Sequence, residues 1–188
     1  DLRTYALTKS CEVSLDFQIM GSSSDLKKMQ VLLVAAKKDM IANHAEIIRE
    51  AGLRPTLIDV DSFAIQNAVE ANYDFAPDET VALLNIGAEI TNLNIIRNLV
   101  PHFTKDLSVG SNTFIEGIQR RYNVSQADAV SALRGRSGGP IDVPSVVQAA
   151  CEDLSAQIDR AAAYLKSAGD AERVDRILLS GGSARVPG

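Results

Sequence analysis

Two apolar runs in this sequence stop abruptly at glycine, and the groups around those glycines are suited to holding phosphate. The first run and its turn read ALLNIGAEITNL over residues 82–93, and the second read LLSGGSARVPG over residues 178–188. An apolar run of this kind indicates a buried strand, and a glycine that follows it permits a tight turn with outward-pointing backbone N–H groups. We therefore predict two turns suited to phosphate or ribose oxygens, separated by a largely helical region.

Composition argues against several other classes of function. The 188 residues carry a net charge of −5 and the Lys and Arg residues are scattered, so we expect no nucleic-acid partner. Neither the cysteines, Cys11 and Cys151, nor the histidines, His44 and His102, have partners at metal-ligand spacing, and we predict no metal site. No segment approaches the roughly 20 apolar residues that span a bilayer, so we expect no direct membrane insertion.

The first 60 residues predict a small α+β subdomain. Apolar and polar residues alternate from Val13 to Met20, which indicates a strand with one buried face. From Lys38 the apolar period becomes helical, and Gly52 supplies the helix end. The predicted elements are strand, turn, strand, helix and strand: residues 12–20, 21–25, 29–36, 38–51 and 55–60.

The remaining residues predict a meander of strands followed by helices and a last strand. Asp61 is a suitable N-cap for a helix over residues 62–71, and residues 73–79 (YDFAPDE) are the best linker candidate. The predicted order after it is three strands, three helices and one strand: residues 80–86, 90–96 and 102–107, helices beginning after Gly110, at Ser125 and at Pro144, and residues 174–180.

This order of elements, with its two glycine turns, resembles the second large domain of the actin-like ATPase superfamily. Three stretches are similar to one branch, the PilM family of type IV pilus assembly proteins: DVDSFAIQNA at 59–68, VALLNIGAEITNL at 81–93 and VPHFTKDLSVG at 100–110. The resemblance implies an α/β (mixed α+β) fold class and a fragment of the actin-like fold. It implies an inserted small subdomain, a connecting helix with linker, and a ribonuclease-H-like mixed sheet with helices: residues 1–60, 61–75 and 76–188.

The resemblance also assigns nucleotide-binding residues by position. Backbone N–H groups and a threonine hydroxyl would face phosphate in the second phosphate loop, which is matched by Asn85, Gly87, Ala88 and Thr91. The turn on the ribose side and the adenosine loop are matched by Gly110, Ser111, Gly181, Gly182 and Ser183. The resemblance implies ATP with Mg²⁺ as the cofactor of the parent protein.

Departures from the superfamily pattern argue against catalysis. The superfamily usually has Asp where this chain has Asn85, and a neutral amide supplies no charge for hydrated Mg²⁺. Residues 129–134 (AVSALR) lack the Glu and Lys that grip adenosine in many relatives. The chain opens at Asp1 and stops inside a glycine turn, which we interpret as a piece of a longer protein whose first phosphate hairpin precedes residue 1. We therefore assign no catalytic residue, and we expect nucleotide binding by this piece alone to be weak or absent.

The resemblance implies a scaffold of pilus assembly rather than a turning-over enzyme. The parent would bind ATP as a structural or regulatory ligand and dock the cytoplasmic tail of PilN, with residues 12–60 as one wall of the docking groove. It would lie in the cytoplasm, at the inner membrane through this and other pilus assembly proteins. Two alternatives stay open: a division scaffold of the FtsA type, and an ATPase or small-molecule kinase of the same superfamily.

Overall fold

The structure, a computed structural model, describes residues 13–22, 29–136, 141–169 and 173–187. Most of the turn predicted at 21–25 lies outside the described residues. The chain forms two compact units, residues 1–59 and 60–188. The break between them precedes the helix that we assigned to the connection, and residues 73–79 lie inside the second unit.

The described residues of the first unit form a β-hairpin and one helix. Strands β1 (Val13–Ser22) and β2 (Met29–Lys37) pair antiparallel, with Phe17 opposite Leu33. Helix α1 (Lys38–Glu50) packs against β2 and buries Ala45. Gly52 adopts a φ of +79°, and the Gly52 and Leu53 N–H groups donate to the carbonyls of Arg49 and Ile48. This bonding satisfies two of the terminal carbonyls, so the predicted helix end is confirmed.

The alternation in the first strand was predicted correctly, but the burial of its apolar face was not. The apolar side chains of one face of the hairpin are between 40% and 65% exposed: Leu15, Phe17, Ile19, Val31 and Leu33. We call these five residues the hairpin face. The apolar residues Met40, Ile47 and Ile48 of α1 are exposed as well. Among the described residues of this unit, one short helix is all that packs on the hairpin, and it is too small to cover both faces of a two-stranded sheet.

The strand predicted over residues 55–60 is wrong. Residues 53–60 contain no strand or helix, and Leu57 is 77% exposed. An apolar run becomes a strand only where a neighbouring strand supplies hydrogen bonds, and Pro55 has no N–H to donate. The apolar pattern therefore predicted an extended conformation but could not supply the pairing partner.

The second unit is built on a mixed four-stranded sheet. Strands β3 (Thr80–Ile86), β4 (Thr91–Arg97) and β5 (Val100–Leu107) form the predicted antiparallel meander, and β6 (Arg176–Ser180) pairs parallel with β3. The strand order is β5-β4-β3-β6. The central strands β3 and β4 are almost wholly buried, because the sheet is covered on both faces.

Helix α2 (Asp61–Glu70) covers one face of this sheet. Val69 packs on a buried cluster of Val81, Leu83 and Ile96. Asp61 is the first helical residue rather than the predicted N-cap, a position that Val60 occupies without a side-chain bond. An acidic residue in the first turn still interacts favourably with the helix dipole.

The described part of the second unit also contains the α-helices α3 (Ser111–Tyr122), α4 (Gln126–Leu133) and α5 (Val143–Ala168). The Asp128 N–H donates to the hydroxyl of Ser125, and the Ser145 N–H donates to the carboxylate of Asp142. These bonds cap α4 and α5.

The long helix α5 covers the other face of the sheet. Leu154, Ala161 and Leu165 pack on the strand residues Leu84 and Leu93. The first half of α5 instead meets α3 and α4 in a second cluster that includes Ile118, Ala129 and Val147. Gly169 ends the helix with a φ of +78°.

Candidate functional site

Three loops converge at one end of the sheet. They are the β3–β4 turn (residues 87–90), the start of α3 (residues 109–112) and the segment after β6 (residues 181–185). The Gly87 carbonyl accepts hydrogen bonds from the Ser111 N–H at 3.1 Å and from the Ser183 hydroxyl at 2.9 Å. The Ala88 carbonyl accepts from the Asn112 N–H at 2.8 Å. Because β3 and β6 are parallel neighbours, their glycine turns emerge at the same edge.

Two of the predicted glycines are required by this close approach. A Cβ atom at Gly110 would lie 2.7 Å from the Gly87 carbonyl oxygen, far inside van der Waals contact. A Cβ at Gly181 would lie 2.8 Å from the Asn85 amide oxygen and also against the carbonyl of Ile86. Gly181 adopts a φ of +92° as well, which favours glycine on conformational grounds. The three loops therefore pack backbone against backbone.

Two predicted hydroxyl groups serve the fold of the loops. Thr91 is fully buried, and its hydroxyl donates to the Val109 carbonyl at 2.7 Å. Ser183 is 8% exposed and its hydroxyl donates to Gly87, as described above. Both bonds join one loop to another. The groups left at the surface of the site are the backbone of exposed Ala88, Gly181 and Gly182.

A row of polar side chains crosses all four strands beside these loops. The Asn85 amide N–H donates to the Asn92 amide oxygen at 3.0 Å, and the Asn92 amide N–H donates to the Asp106 carboxylate at 2.8 Å. The Ser180 hydroxyl lies 3.3 Å from the Asn85 amide oxygen. We call Ser180, Asn85, Asn92 and Asp106 the polar ladder. Asn85 and Ser180 also line a cleft of about 660 Å³ beside α2.

The sequence alone singled out Asn85 but missed its partners Asn92 and Asp106. Asn92 and Asn94 alternate with Leu93 and Ile95, a pattern that predicts a solvent-exposed polar face rather than a buried polar contact. Asp106 carried no signal either, because an acid near the end of an exposed strand is ordinary. The cross-strand register aligns the row, since Asn85 pairs with Asn92 and Asn92 pairs with Asp106.

The loops bring few charges to the site. The charged residues of the three loops and the polar ladder are Glu89, Asp106 and Arg185. Within the described ranges, no three His, Cys, Asp or Glu side chains are grouped so as to hold a metal ion. Cys151 lies in the helical cluster, where burial raises the pKa of its thiol and disfavours a reactive thiolate.

Comparison with known proteins identifies the family. The sequence profile of the family described as type IV pilus assembly protein PilM matches residues 5–188. The chain belongs to the PilM family. The match takes in both units and all three loops of the site. In the part of the chain that is described, no helix is both long and apolar enough to cross a membrane.

Solved structures agree with this assignment. A PilM-PilN type IV pilus biogenesis complex matches this chain with a TM-score of 0.78 and 26% identity, over 98% of this chain and 55% of the matched one. MreB5 of Spiroplasma citri bound to ADP matches with a TM-score of 0.58 and 17% identity, over 81% of this chain and 56% of the matched one. The same protein bound to AMPPNP matches with a TM-score of 0.58 and 17% identity, over 80% and 54%.

These matches confirm the predicted fold class. The PilM-family chain has the mixed α/β architecture of actin-like proteins, and the MreB5 likeness bears on the fold alone. The chain spans about half the length of the solved structures that it matches.

Proposed function

We propose that the parent of this PilM-family chain binds ATP with Mg²⁺ through the three converging loops. The observation that carries the proposal is the backbone contact of the β3–β4 turn with the start of α3 and the segment after β6. The N–H groups of Gly87, Ser111 and Asn112 donate to carbonyls within this junction, so the exposed turns at Ala88 and Gly182 would supply the donors for phosphate and ribose oxygens. Bound nucleotide would contact all three loops and hold them together.

The residue roles are those that the family resemblance assigns to these positions. The backbone of Gly87 and Ala88 would face phosphate, Gly110 and Ser111 would lie on the ribose side, and Gly181 and Gly182 would approach the nucleoside. Thr91 and Ser183 would brace the loops, because their hydroxyls already bond to carbonyls of neighbouring loops. Asn85 would accept a hydrogen bond from a water of the hydrated cation.

The site supports binding better than hydrolysis. Phosphoryl transfer requires acids that hold Mg²⁺ and orient the attacking water. Position 85 carries a neutral amide, and the acid Asp106 is engaged by Asn92. We therefore infer a structural or regulatory role for the nucleotide, and an actin-superfamily ATPase or kinase is the second candidate function.

Calorimetric titration of the full-length protein with ATP, with and without Mg²⁺, tests the nucleotide role. We expect binding that Mg²⁺ strengthens, together with phosphate release no faster than the uncatalysed background. Asn85→Asp should increase the gain from Mg²⁺, because it adds a charge beside the hydrated metal. Absence of any ATP binding would contradict the proposal, and steady phosphate release would favour the enzyme alternative.

We further propose that the hairpin face docks an apolar segment of a pilus protein's cytoplasmic tail. A PilM-PilN complex is the solved structure most relevant here, and it motivates a PilN tail as the partner. Side chains on the hairpin face are 40–65% exposed, although solvent-facing strand positions are usually polar. An extended tail would pair its alternate apolar side chains with this face. The protein would lie in the cytoplasm and reach the inner membrane through this and other pilus assembly proteins.

A pair of adjacent substitutions tests the docking surface. Phe17 lies on the hairpin face, and Gln18 is exposed on the opposite face. Phe17→Asp in the full-length protein should weaken the binding of a labelled PilN tail peptide about tenfold or more, because it removes a buried aromatic contact. Gln18→Asp adds the same charge one residue away and should leave the affinity nearly unchanged. Equal losses would assign the effect to charge, and binding of a division protein instead would favour the FtsA-type alternative.

A further inference from the structure

The polar ladder has a direction, and the residue that sets it is Asp106. At neutral pH a carboxylate only accepts hydrogen bonds, whereas an amide both donates and accepts. Asp106 therefore requires the NH₂ group of Asn92, and the two lie 2.8 Å apart. With its NH₂ turned to Asp106, Asn92 presents its oxygen to Asn85.

The orientation of Asn92 in turn fixes the amide of Asn85, on the neighbouring strand β3. The Asn92 oxygen requires a donor, so Asn85 turns its NH₂ group towards Asn92, at 3.0 Å. The amide oxygen of Asn85 then faces the Ser180 hydroxyl, at 3.3 Å, and the backbone of Gly181. Asn92 is 8% exposed, so water cannot readily replace these partners.

We propose that Asp106 is a positioning residue that fixes the amide of Asn85 so that its oxygen faces the glycine turn after β6. An oxygen at that place accepts hydrogen bonds from the water of a hydrated cation or from hydroxyl groups, and it repels phosphate oxygens. Asp106 thus selects the hydrated metal over bare phosphate at position 85, although it lies two strands away. This inference rests on the proposed nucleotide function only for the identity of the ligand.

Reversal of the ladder tests its direction. In Asn85→Asp, carboxylates would flank Asn92 on both sides, and its single NH₂ group could serve only one of them. We expect the folded-to-unfolded ratio of the full-length protein, measured by denaturant unfolding, to fall about tenfold. In Asn85→Asp with Asp106→Asn, Asn92 can turn round, donate to residue 85 and accept from residue 106. The ratio should then recover to within about threefold of wild type.

A charge-matched control separates direction from net charge. Glu89 is an exposed acid in the β3–β4 turn and takes no part in the ladder. Asn85→Asp with Glu89→Gln restores the net charge. It supplies no hydrogen-bond donor to the side-chain oxygen of Asn92, so we expect no recovery of stability. Equal recovery in the two double variants would overturn the proposed role of Asp106.

The effect of Asp106 on ligand selection is measured by ATP titration. In the full-length protein, Asp106→Asn should reduce the Mg²⁺-dependent gain in ATP affinity by about threefold or more, because the Asn85 amide is then free to turn. An unchanged gain would overturn the role of Asp106 in ligand selection. If wild type binds no ATP with or without Mg²⁺, the proposed function fails, while the unfolding experiment still decides the direction of the ladder.

Discussion

At the scale of single residues, the site depends on backbone groups more than on side chains. The hydroxyls of Thr91 and Ser183 are used between loops, and the glycines allow carbonyls and N–H groups to approach closely. Such a site tolerates few added atoms at its glycines. Side-chain exchanges at exposed loop positions such as Ala88 should matter less, provided that the backbone keeps its course.

Gly110→Ala tests this close packing. Gly110 has an extended backbone that any residue can adopt, so the obstacle to a Cβ is the backbone of the β3–β4 turn, with the Ala88 carbonyl oxygen at 2.5 Å and the Gly87 carbonyl oxygen at 2.7 Å. We expect the free energy of unfolding to fall by about 1–3 kcal/mol, as overpacking typically costs. Gly182→Ala is the control, because a Cβ there meets no atom within 4 Å and should change stability by less than about 0.5 kcal/mol. Urea unfolding of both variants decides the matter, and equal losses would contradict the packing argument.

At the scale of elements, α2 is attached to the sheet by polar as well as apolar contacts. Asn94 is 1% exposed, and its amide donates to Gln66 at 3.0 Å and accepts from the Thr104 hydroxyl at 3.1 Å. Gln66 in turn donates to the Leu99 carbonyl at 2.9 Å. These bonds specify where α2 lies, because apolar contacts alone would permit sliding along the sheet.

Asn94→Ala should therefore be costly. The change leaves the side-chain oxygen of buried Gln66 without its donor, and we expect the free energy of unfolding to fall by about 2 kcal/mol. Asn112→Ala removes an exposed amide and serves as the control. In a double-mutant cycle, Gln66→Ala and Asn94→Ala should be less than additive, since each breaks the same bond. Strict additivity would show that the bond contributes nothing.

The opposite end of the sheet offers a pH-dependent contact between β3 and the segment before β6. A hydrogen bond from the buried Thr80 N–H, at 3.0 Å, holds the pKa of Asp175 below its ordinary value of 3.8, with smaller help from Arg173. Arg173 is 83% exposed, so solvent screens its charge and the Thr80 bond dominates. A lowered folded-state pKa stabilises the protein above the ordinary value, and this contribution is lost as pH falls through the folded-state pKa.

Asp175→Asn should thus reduce stability at pH 7, and the difference from wild type should shrink as pH falls below 3.8. Denaturant unfolding midpoints between pH 7 and the acid limit of folding measure it. Asp153→Asn, an exposed acid on α5, should leave the midpoint at pH 7 unchanged. A difference between Asp175→Asn and wild type that stays constant with pH would contradict the assigned role of the carboxylate.

At the scale of the whole molecule, the chain combines two compact units with different properties. The first unit, residues 1–59, exposes apolar residues on its hairpin and helix. The second unit, residues 60–188, has a well-buried sheet and carries the candidate nucleotide site. We proposed a protein partner for the first and ATP for the second, so a scaffold that responds to nucleotide requires the two binding events to be coupled.

Coupling predicts a reciprocal effect in the full-length protein. We expect saturating ATP to change the affinity for the PilN tail by a factor of about 5 to 150, and the tail to change the ATP affinity by the same factor. Titration of a labelled tail peptide with and without ATP measures one arm, and calorimetry of ATP with and without peptide measures the other. A tail affinity that is the same with and without ATP would show that the two binding events are not coupled, and it would leave two independent binding functions.

The sequence by itself determined the elements and the glycine turns. Hydrophobic periodicity predicted, to within a few residues, the six strands and five α-helices of the described residues. It also predicted a strand at 55–60 that is not present, and it placed Asp61 one position too early, as the N-cap of α2. The glycine turns after β3 and β6 were predicted because turns that end buried strands have few chemical solutions, whereas Gly110 was assigned through the family resemblance. Periodicity and turn chemistry depend on residues close together in the sequence, so both can be predicted from the sequence alone.

Only the tertiary structure decided which residues meet. The polar ladder depends on register across four strands, which unites Ser180, Asn85, Asn92 and Asp106 from distant parts of the sequence. The exposure of the hairpin face depends on what covers a strand, and the pattern of alternation cannot supply this. Burial, register and hydrogen-bond direction arise from contacts between segments, and for that reason the orientation of Asn85 and the exposure of Phe17 became visible only in the folded chain.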